Sequence, residues 1–98
     1  MIAVEWTSRS FLVLETLPQE TAFNIIRRVD LLSKFPEMGV LLKSRHLSVN
    51  DCRQLIINRN FRVIYDFDET ESCIYILAIQ NCRQRLPSPR DLKRDEMR

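Results

Sequence analysis

Apolar residues arrive in three closely spaced runs in the second half of the chain, Cys52–Ile57, Phe61–Phe67 and Cys73–Gln80. Each is rich in Ile, Val, Tyr or Phe, which predicts three β-strands. The links between them are short. Asn58-Arg59-Asn60 can supply the backbone angles of a tight turn, and Asp68–Ser72 makes a longer, more polar one. Strands joined so closely must be antiparallel, because parallel neighbours need a long crossover. Alternation puts Phe61, Val63, Tyr65 and Phe67 on one face of the middle run, against Arg62, Ile64 and Asp66 on the other. The aromatic set is therefore expected beneath whatever covers the sheet. In the third run Cys73, Tyr75, Leu77 and Ile79 oppose Ile74, Ile76 and Ala78, apolar on both sides as in a well-covered strand. In the first run Arg53 alternates with Leu55 and Ile57, while Cys52, Gln54 and Ile56 point the other way. Parity leaves open whether Arg53, Arg62 and Arg83 share a surface, since a bulge resets the count.

The first half reads differently. Ile2–Trp6 has β character, and Thr7 or Ser8 can cap a helix whose apolar side is Phe11, Val13, Leu14 and Leu17. Pro18 suits the first turn of a second helix, where its missing donor costs nothing. Ala22, Ile25, Ile26, Val29 and Leu32 then recur at helical spacing, with Phe23 and Leu31 broadening the stripe. Phe35-Pro36 ends it. Two helices apolar on one side only are buried together by lying as a hairpin across one face of the sheet, which leaves the other face comparatively open. The expected fold is α+β, in the order β-α-α-β-β-β, with a mainly antiparallel sheet. Glu37–Asn50 is a connector pinned by Leu41, Leu42 and Leu47. Residues 1–86 make a single domain, and the polar, Pro-containing tail 87–98 is expected to be ordered only against something else.

Composition narrows the chemistry. At 98 residues and 45% hydrophobic, the chain has material for one core. A single glycine, Gly39, excludes phosphate-cradling glycine loops. No apolar run approaches the ~20 residues that span a bilayer, and the amino terminus lacks a leader-like pattern, so a cytoplasmic protein without a membrane partner is expected. Cys52, Cys73 and Cys82 have no metal-ligand spacing; they read as reduced thiols, with no metal or cofactor expected. The net charge of +2 is unevenly spread. Lys43, Arg45, Arg53, Arg59 and Arg62 form one basic block, and Arg83, Arg85, Arg90, Lys93 and Arg94 another, with Asp66, Asp68, Glu69 and Glu71 between them. That pattern suits contact with nucleic acid or an acidic protein on one side.

The order of elements, with FPEMG after the second helix, then RQLIINRNFRVIYDFD, then IYILAIQNCRQRLP, resembles the RelE/ParE superfamily of type II toxin–antitoxin toxins. Pro36 and Gly39, Arg53, Arg62 with Tyr65, and Arg83 with Gln84 stand where that superfamily carries its signatures. The resemblance implies a cognate antitoxin, and an assembly that is a homo-oligomer or a toxin–antitoxin hetero-oligomer. It implies interference with translation by ribosome-dependent mRNA cleavage, with ribosome and mRNA as partners. The alternatives are a ParE-like inhibitor of DNA gyrase without hydrolytic activity, or a degenerate non-toxic member. Arg53, Arg62 and Arg83 are the implied catalytic residues, and Lys43, Arg45, Arg59 and Arg85 the implied target-binding ones. The helical hairpin has RelE-like length. Where many relatives have histidine, this chain has Asn81-Cys82. RNA cleavage needs a base, an acid and positive charge beside the transition state, and arginine supplies only the last. The single histidine, His46, falls in the connector and reads as a solvated residue.

Overall fold

The computed structural model describes residues 2–42, 52–92 and 94. The connector residues Lys43, Arg45, His46 and Leu47 lie outside the described residues. The elements are β1 (Ala3–Trp6), α1 (Ser8–Thr16), α2 (Gln19–Asp30), β2 (Val40–Leu41), β3 (Arg53–Ile57), β4 (Phe61–Asp68) and β5 (Cys73–Asn81), with 3-10 turns at Leu31–Ser33 and Pro89–Leu92. They form one sheet in the order β1-β5-β4-β3-β2. The three expected strands run antiparallel, and β1 adds to β5 in parallel. Two-residue β2, inside the expected connector, pairs with β3 and closes the far edge.

Thr7 is the helix cap. Its hydroxyl accepts the Ser10 N–H at 3.2 Å, while the Ser10 hydroxyl donates to the Ile76 carbonyl at 3.0 Å, so the cap also fastens α1 to β5. Both side chains are buried, and each is hydrogen-bonded, as buried hydroxyls must be. On α2 the stripe is narrower than the periodicity suggests. Ile25, Val29 and Leu32 are fully buried, whereas Phe23 and Leu31 remain 49% and 39% exposed. They lie past the edge of the face that meets the sheet, so they do not widen the stripe as expected.

The helical hairpin covers one face. Leu14, Ile25, Val29 and Leu32 pack on Leu55, Ile57, Val63, Tyr65, Ile74, Ile76 and Ile79, with Phe61 and Phe67 at the margins. The aromatic side of β4 does lie under the helices. The opposite face is less open than expected: Leu92 of the C-terminal 3-10 turn is 3% exposed and packs with Cys52, Ile64, Leu77 and Ala78. Arg9 of α1 grips this turn through Asp91 at 2.9 Å. At its other end Arg94 lies 4.0 Å over the Tyr75 ring and pairs with Asp66, Asp68 and Glu71. One apolar residue and two ion-pair anchors thus dock a polar tail. Among the described residues no helix is long and apolar enough to cross a membrane.

β5 departs from strict alternation. Ile64 pairs with Ala78 but Tyr65 pairs with Ile76, so Leu77 is an extra residue on β5. Ile74, Ile76 and Ile79 face the helices, and Leu77 and Ala78 both face away.

Gly39 sits in the segment between α2 and β2, buried against β4. A Cβ there would fall 2.7 Å from Tyr65 Cε1 and 2.8 Å from the Gln54 carbonyl oxygen. Glycine is required by this approach rather than by its backbone angles, since φ is not positive. Gly39→Ala is expected to destabilise the fold by about 1–3 kcal/mol, as overpacking does. Chemical denaturation of the two proteins, compared at constant m-value, measures it.

Candidate nucleic-acid interface

The sequence singles out seven cations, and the fold separates the described ones into a strut and a cluster. Arg53 is the strut. It opens β3 opposite Tyr65, on the helix-side face. Its Nη1 donates to the Gly39 carbonyl at 2.7 Å and the Glu37 carbonyl at 3.3 Å, leaving the side chain 20% exposed. Tyr65 completes the brace. Its hydroxyl donates to the Pro36 carbonyl and accepts the Gly39 N–H, both at 2.8 Å, and burial pushes its pKa upward. The proline–glycine segment, Arg53 and Tyr65 are thus one hydrogen-bonded unit that fixes the entry to β2.

The cluster forms at the opposite end of the sheet, where β3 turns into β4 and β5 ends. Phe61 pairs with Asn81, and the Cys82 N–H donates to the Asn60 carbonyl at 2.8 Å, tying the β3–β4 turn to the segment after β5. Asn58 and Arg59 both hold left-handed backbone angles, with φ of 51° and 64°. For arginine that conformation costs on the order of 1 kcal/mol, and it displays Arg59 at the apex of the turn, exposed. Arg83 and Arg85 follow β5 and are also exposed. The Asn81 side chain caps this exit by accepting the Arg83 N–H at 2.9 Å.

Arg62 lies between the two turns, on the face away from the helices. Its Nη2 donates to the Cys82 carbonyl at 2.8 Å and its Nη1 to Gln54 Oε1 at 3.4 Å; Nε is buried with no partner among the described residues. Across the ladder from Arg62 stand Ile56 and Gln80. Gln80 Nε2 donates to the Arg85 carbonyl at 3.1 Å, while its Oε1 is buried without a donor among the described residues. Arg62 and Gln80 therefore brace the basic exit from below, one through residue 82 and the other through residue 85. Neither Gln54 nor Gln80 stands out in the sequence as a site residue. Their signal is positional, and it depends on the extra residue in β5: without it, Arg62 would oppose Ile79.

So the fold brings together Arg59, Arg62, Arg83 and Arg85, does not bring Arg53 to them, and leaves Lys43 and Arg45 outside the described residues. At the other end of β4, roughly 20 Å from Arg62, the acids of the β4–β5 turn are engaged by Arg94. The Glu71 N–H and then Arg94 hold the Asp68 carboxyl below the usual range, and donation to Glu71 at 2.7 Å pushes the Tyr75 phenol well up. The sheet thus carries a cationic end and an acidic end whose carboxylates Asp66, Asp68 and Glu71 share one arginine of its own tail. Guanidinium groups stay protonated at neutral pH, so the cationic end can hold phosphate or stabilise a developing anion. The residues flanking Arg62 on its face, Gln54, Ile56, Ile64, Ala78 and Gln80, carry no titratable group. Among the described residues no group of His, Cys, Asp and Glu could hold a metal ion.

The fold occurs in known structures. The chain is similar to one from the intact E. coli RelBE toxin–antitoxin complex, with a TM-score of 0.69 over 86% of this chain and 100% of that one, at 10% identity. This is the RelE fold. The isolated E. coli RelE toxin gives a TM-score of 0.69 at 9% identity, covering 87% of this chain and 88% of that one. The archaeal RelE–RelB complex from Pyrococcus horikoshii gives 0.65 at 19% identity, covering 86% and 98%. No protein-family model matches the chain, and no curated protein matches it in sequence.

The division between strut and cluster is measurable. Arg53→Ala removes a charge-assisted bond to a carbonyl and is expected to cost about 1.5–3 kcal/mol of stability. Arg83→Ala, at an exposed position, should change stability by less than about 0.5 kcal/mol. Equilibrium denaturation of both variants checks the contrast.

Proposed function

We propose that this chain is the toxin half of a toxin–antitoxin pair and that it interferes with translation by cleaving ribosome-bound message. The observation that carries this reading is the gathering of Arg59, Arg62, Arg83 and Arg85 at one exposed end of a RelE-fold sheet. Arg62 and Arg83 face the scissile phosphate and stabilise the charge that develops on it. Arg59 and Arg85 hold neighbouring phosphates and set the register of the strand. Arg53 contributes indirectly, by keeping the segment from Pro36 to Gly39 in place. The antitoxin is an acidic segment that covers the arginine cluster and excludes RNA by occlusion.

A second reading, inhibition of DNA gyrase without hydrolysis, draws support from the neutral lining of Arg62. A cationic site flanked by Gln54, Ile56 and Gln80 binds anions without needing to move a proton.

One pair of assays separates the two. Translation of a reporter message, with mapped 5′ ends, is run beside gyrase supercoiling on the wild type, Arg62→Ala and Arg83→Ala. The first reading expects cleavage in the wild type, a loss of about 10²–10³ in rate for each variant, and supercoiling untouched. RNA binding by Arg83→Ala should also show a shallower salt dependence, by about 0.7 in the log–log slope. Supercoiling inhibited with message intact would replace the first reading by the second. Silence in both assays from the folded protein overturns both.

A further inference from the structure

The segment that carries Arg83 and Arg85 leaves β5 with its near end fixed. Asn81 Oδ1 accepts the Arg83 N–H at 2.9 Å, and the Asn81 carbonyl accepts the Gln84 N–H at 3.0 Å. Gln80 donates to the Arg85 carbonyl at 3.1 Å. Beyond that point support is thin. Leu86 and Pro87 make no hydrogen bond to the described residues and flank a groove of about 470 Å³ whose α1 wall is Arg9 and Val13. Leu86 is 42% exposed, so this stretch bridges open space instead of covering core.

The far end is held at Asp91, from α1. Arg9 Nη1 donates to Asp91 Oδ1 at 2.9 Å and to the Asp91 carbonyl at 3.2 Å. The other carboxylate oxygen accepts the Ser88 hydroxyl at 3.0 Å, and the Asp91 N–H donates to the Ser88 carbonyl at 2.9 Å. Asp91 therefore closes a turn and clips that turn to the helix. A chain pinned at both ends samples fewer conformations than one pinned at a single end. Pro87, its φ fixed by the ring, stiffens the short span between the two anchors.

We infer that Arg9 is a positioning residue for the arginine cluster: by clipping Asp91 to α1 it holds the far end of the exit segment and keeps Arg83 and Arg85 in register with Arg62. The inference rests on the toxin reading above and deepens it, adding to the site a residue of α1 that touches no substrate. Leu92 secures the same turn to the sheet, but it does so as part of a core. The Arg9–Asp91 pair is exposed, with 62% and 46% of the two side chains accessible, so removing it loosens the segment and leaves the sheet intact.

A comparison of signs separates positioning from plain electrostatics. Asp91 is an acid near a basic site, so by charge alone Asp91→Ala would tighten anion binding while Arg9→Ala weakened it. Positioning expects both to weaken it alike, and the double variant to be no weaker than either single one. The test uses the full chain and inorganic pyrophosphate, titrated at low salt and followed by NMR at the Arg83 and Arg85 amides. Each variant is expected to lose about two- to fivefold in affinity, the range an exposed ion pair can supply. Hydrogen exchange at the Gln84 and Asp91 amides should quicken by a similar factor, with β3, β4 and β5 unchanged. Tighter pyrophosphate binding by Asp91→Ala, additive losses in the double variant, or unchanged exchange at Gln84 and Asp91 each overturns the inference. Message cleavage by the wild type with pyrophosphate affinity unmoved in Arg9→Ala removes the clip and leaves the toxin reading standing. Weakened pyrophosphate binding in both single variants, without cleavage by the wild type, does the reverse.

Discussion

Leu77 and Ala78 of β5 point to the same face of the sheet, and the contents of both faces follow from that. A strand that alternated strictly would send Leu77 one way and Ala78 the other. With Leu77 as an extra residue, the helix side receives Ile74, Ile76 and Ile79, a continuous aliphatic surface for Ile25, Val29 and Leu32. The opposite side receives Leu77 and Ala78, which the C-terminal turn covers with Leu92. Beyond the shift the ladder advances by one, so Arg62 meets Gln80 instead of an isoleucine. A register change that satisfies two cores also assembles the polar group beneath the basic exit. The site and the core are products of the same backbone irregularity, and restoring strict alternation would disturb both.

The arginines show why charge on a sheet is a poor guide to function by itself. Arg53 and Arg62 both stand at the start of a strand, yet they lie on opposite faces. Arg53 spends its hydrogen bonds on the backbone of the proline–glycine segment, working with Tyr65 to hold a loop that has little core of its own. Arg62 spends two donors on Cys82 and Gln54, and its Nε meets no partner among the described residues. A guanidinium group anchored through two nitrogens is held in a fixed orientation, as a charge-stabilising group must be. Arg94 has a third kind of use: it bridges Asp66, Asp68 and Glu71 and ties the tail over Tyr75. Of the arginines in β3, β4, the turn between them and the segment just after β5, those with no acidic partner among the described residues, Arg59, Arg62, Arg83 and Arg85, gather at one end of the sheet, which is what gives that end its attraction for anions.

Much of this was legible in the sequence. The three antiparallel strands follow from run length and β content, the helical hairpin from the spacing of Ile25, Val29 and Leu32, and the burial of the β4 aromatic side from alternation. What escaped has common physical causes. Two-residue β2 carries no periodicity, since Val40 and Leu41 form a strand only because β3 offers them a partner. Phe23 and Leu31 are apolar but lie beyond the arc that touches the sheet, and helical spacing does not reveal the width of that arc. The tail reads as polar because a single leucine and two ion pairs dock it, and ion pairs across 82 residues, as between Arg9 and Asp91, leave no local signature. The grouping of Arg62 with Gln80 depends on a bulge that strand propensity does not encode. The proline–glycine segment, Arg53 and Tyr65 carry the resemblance in the sequence, and their contacts give them a mechanical meaning that spacing alone does not contain.

The neutral surroundings of Arg62 constrain the chemistry that a site of this kind can perform. Stabilising a phosphorane-like charge needs fixed donors, and the sheet supplies them. Taking the proton from a 2′-hydroxyl and giving one to the leaving oxygen needs groups that exchange protons near neutral pH, and the ladder positions beside Arg62 hold glutamine, isoleucine and alanine. In a cleaving toxin those proton transfers must then be carried by groups that arrive with the bound complex, by the RNA itself, or by side chains from outside this face of the sheet. On that reading positioning would be such a toxin's main contribution to rate: holding one phosphate in a geometry where surrounding groups can act is an effect worth many orders of magnitude on its own. A site built for positioning gains directly from a neighbouring pocket that grips the substrate away from the reacting atoms, because binding energy released there can be applied to alignment here.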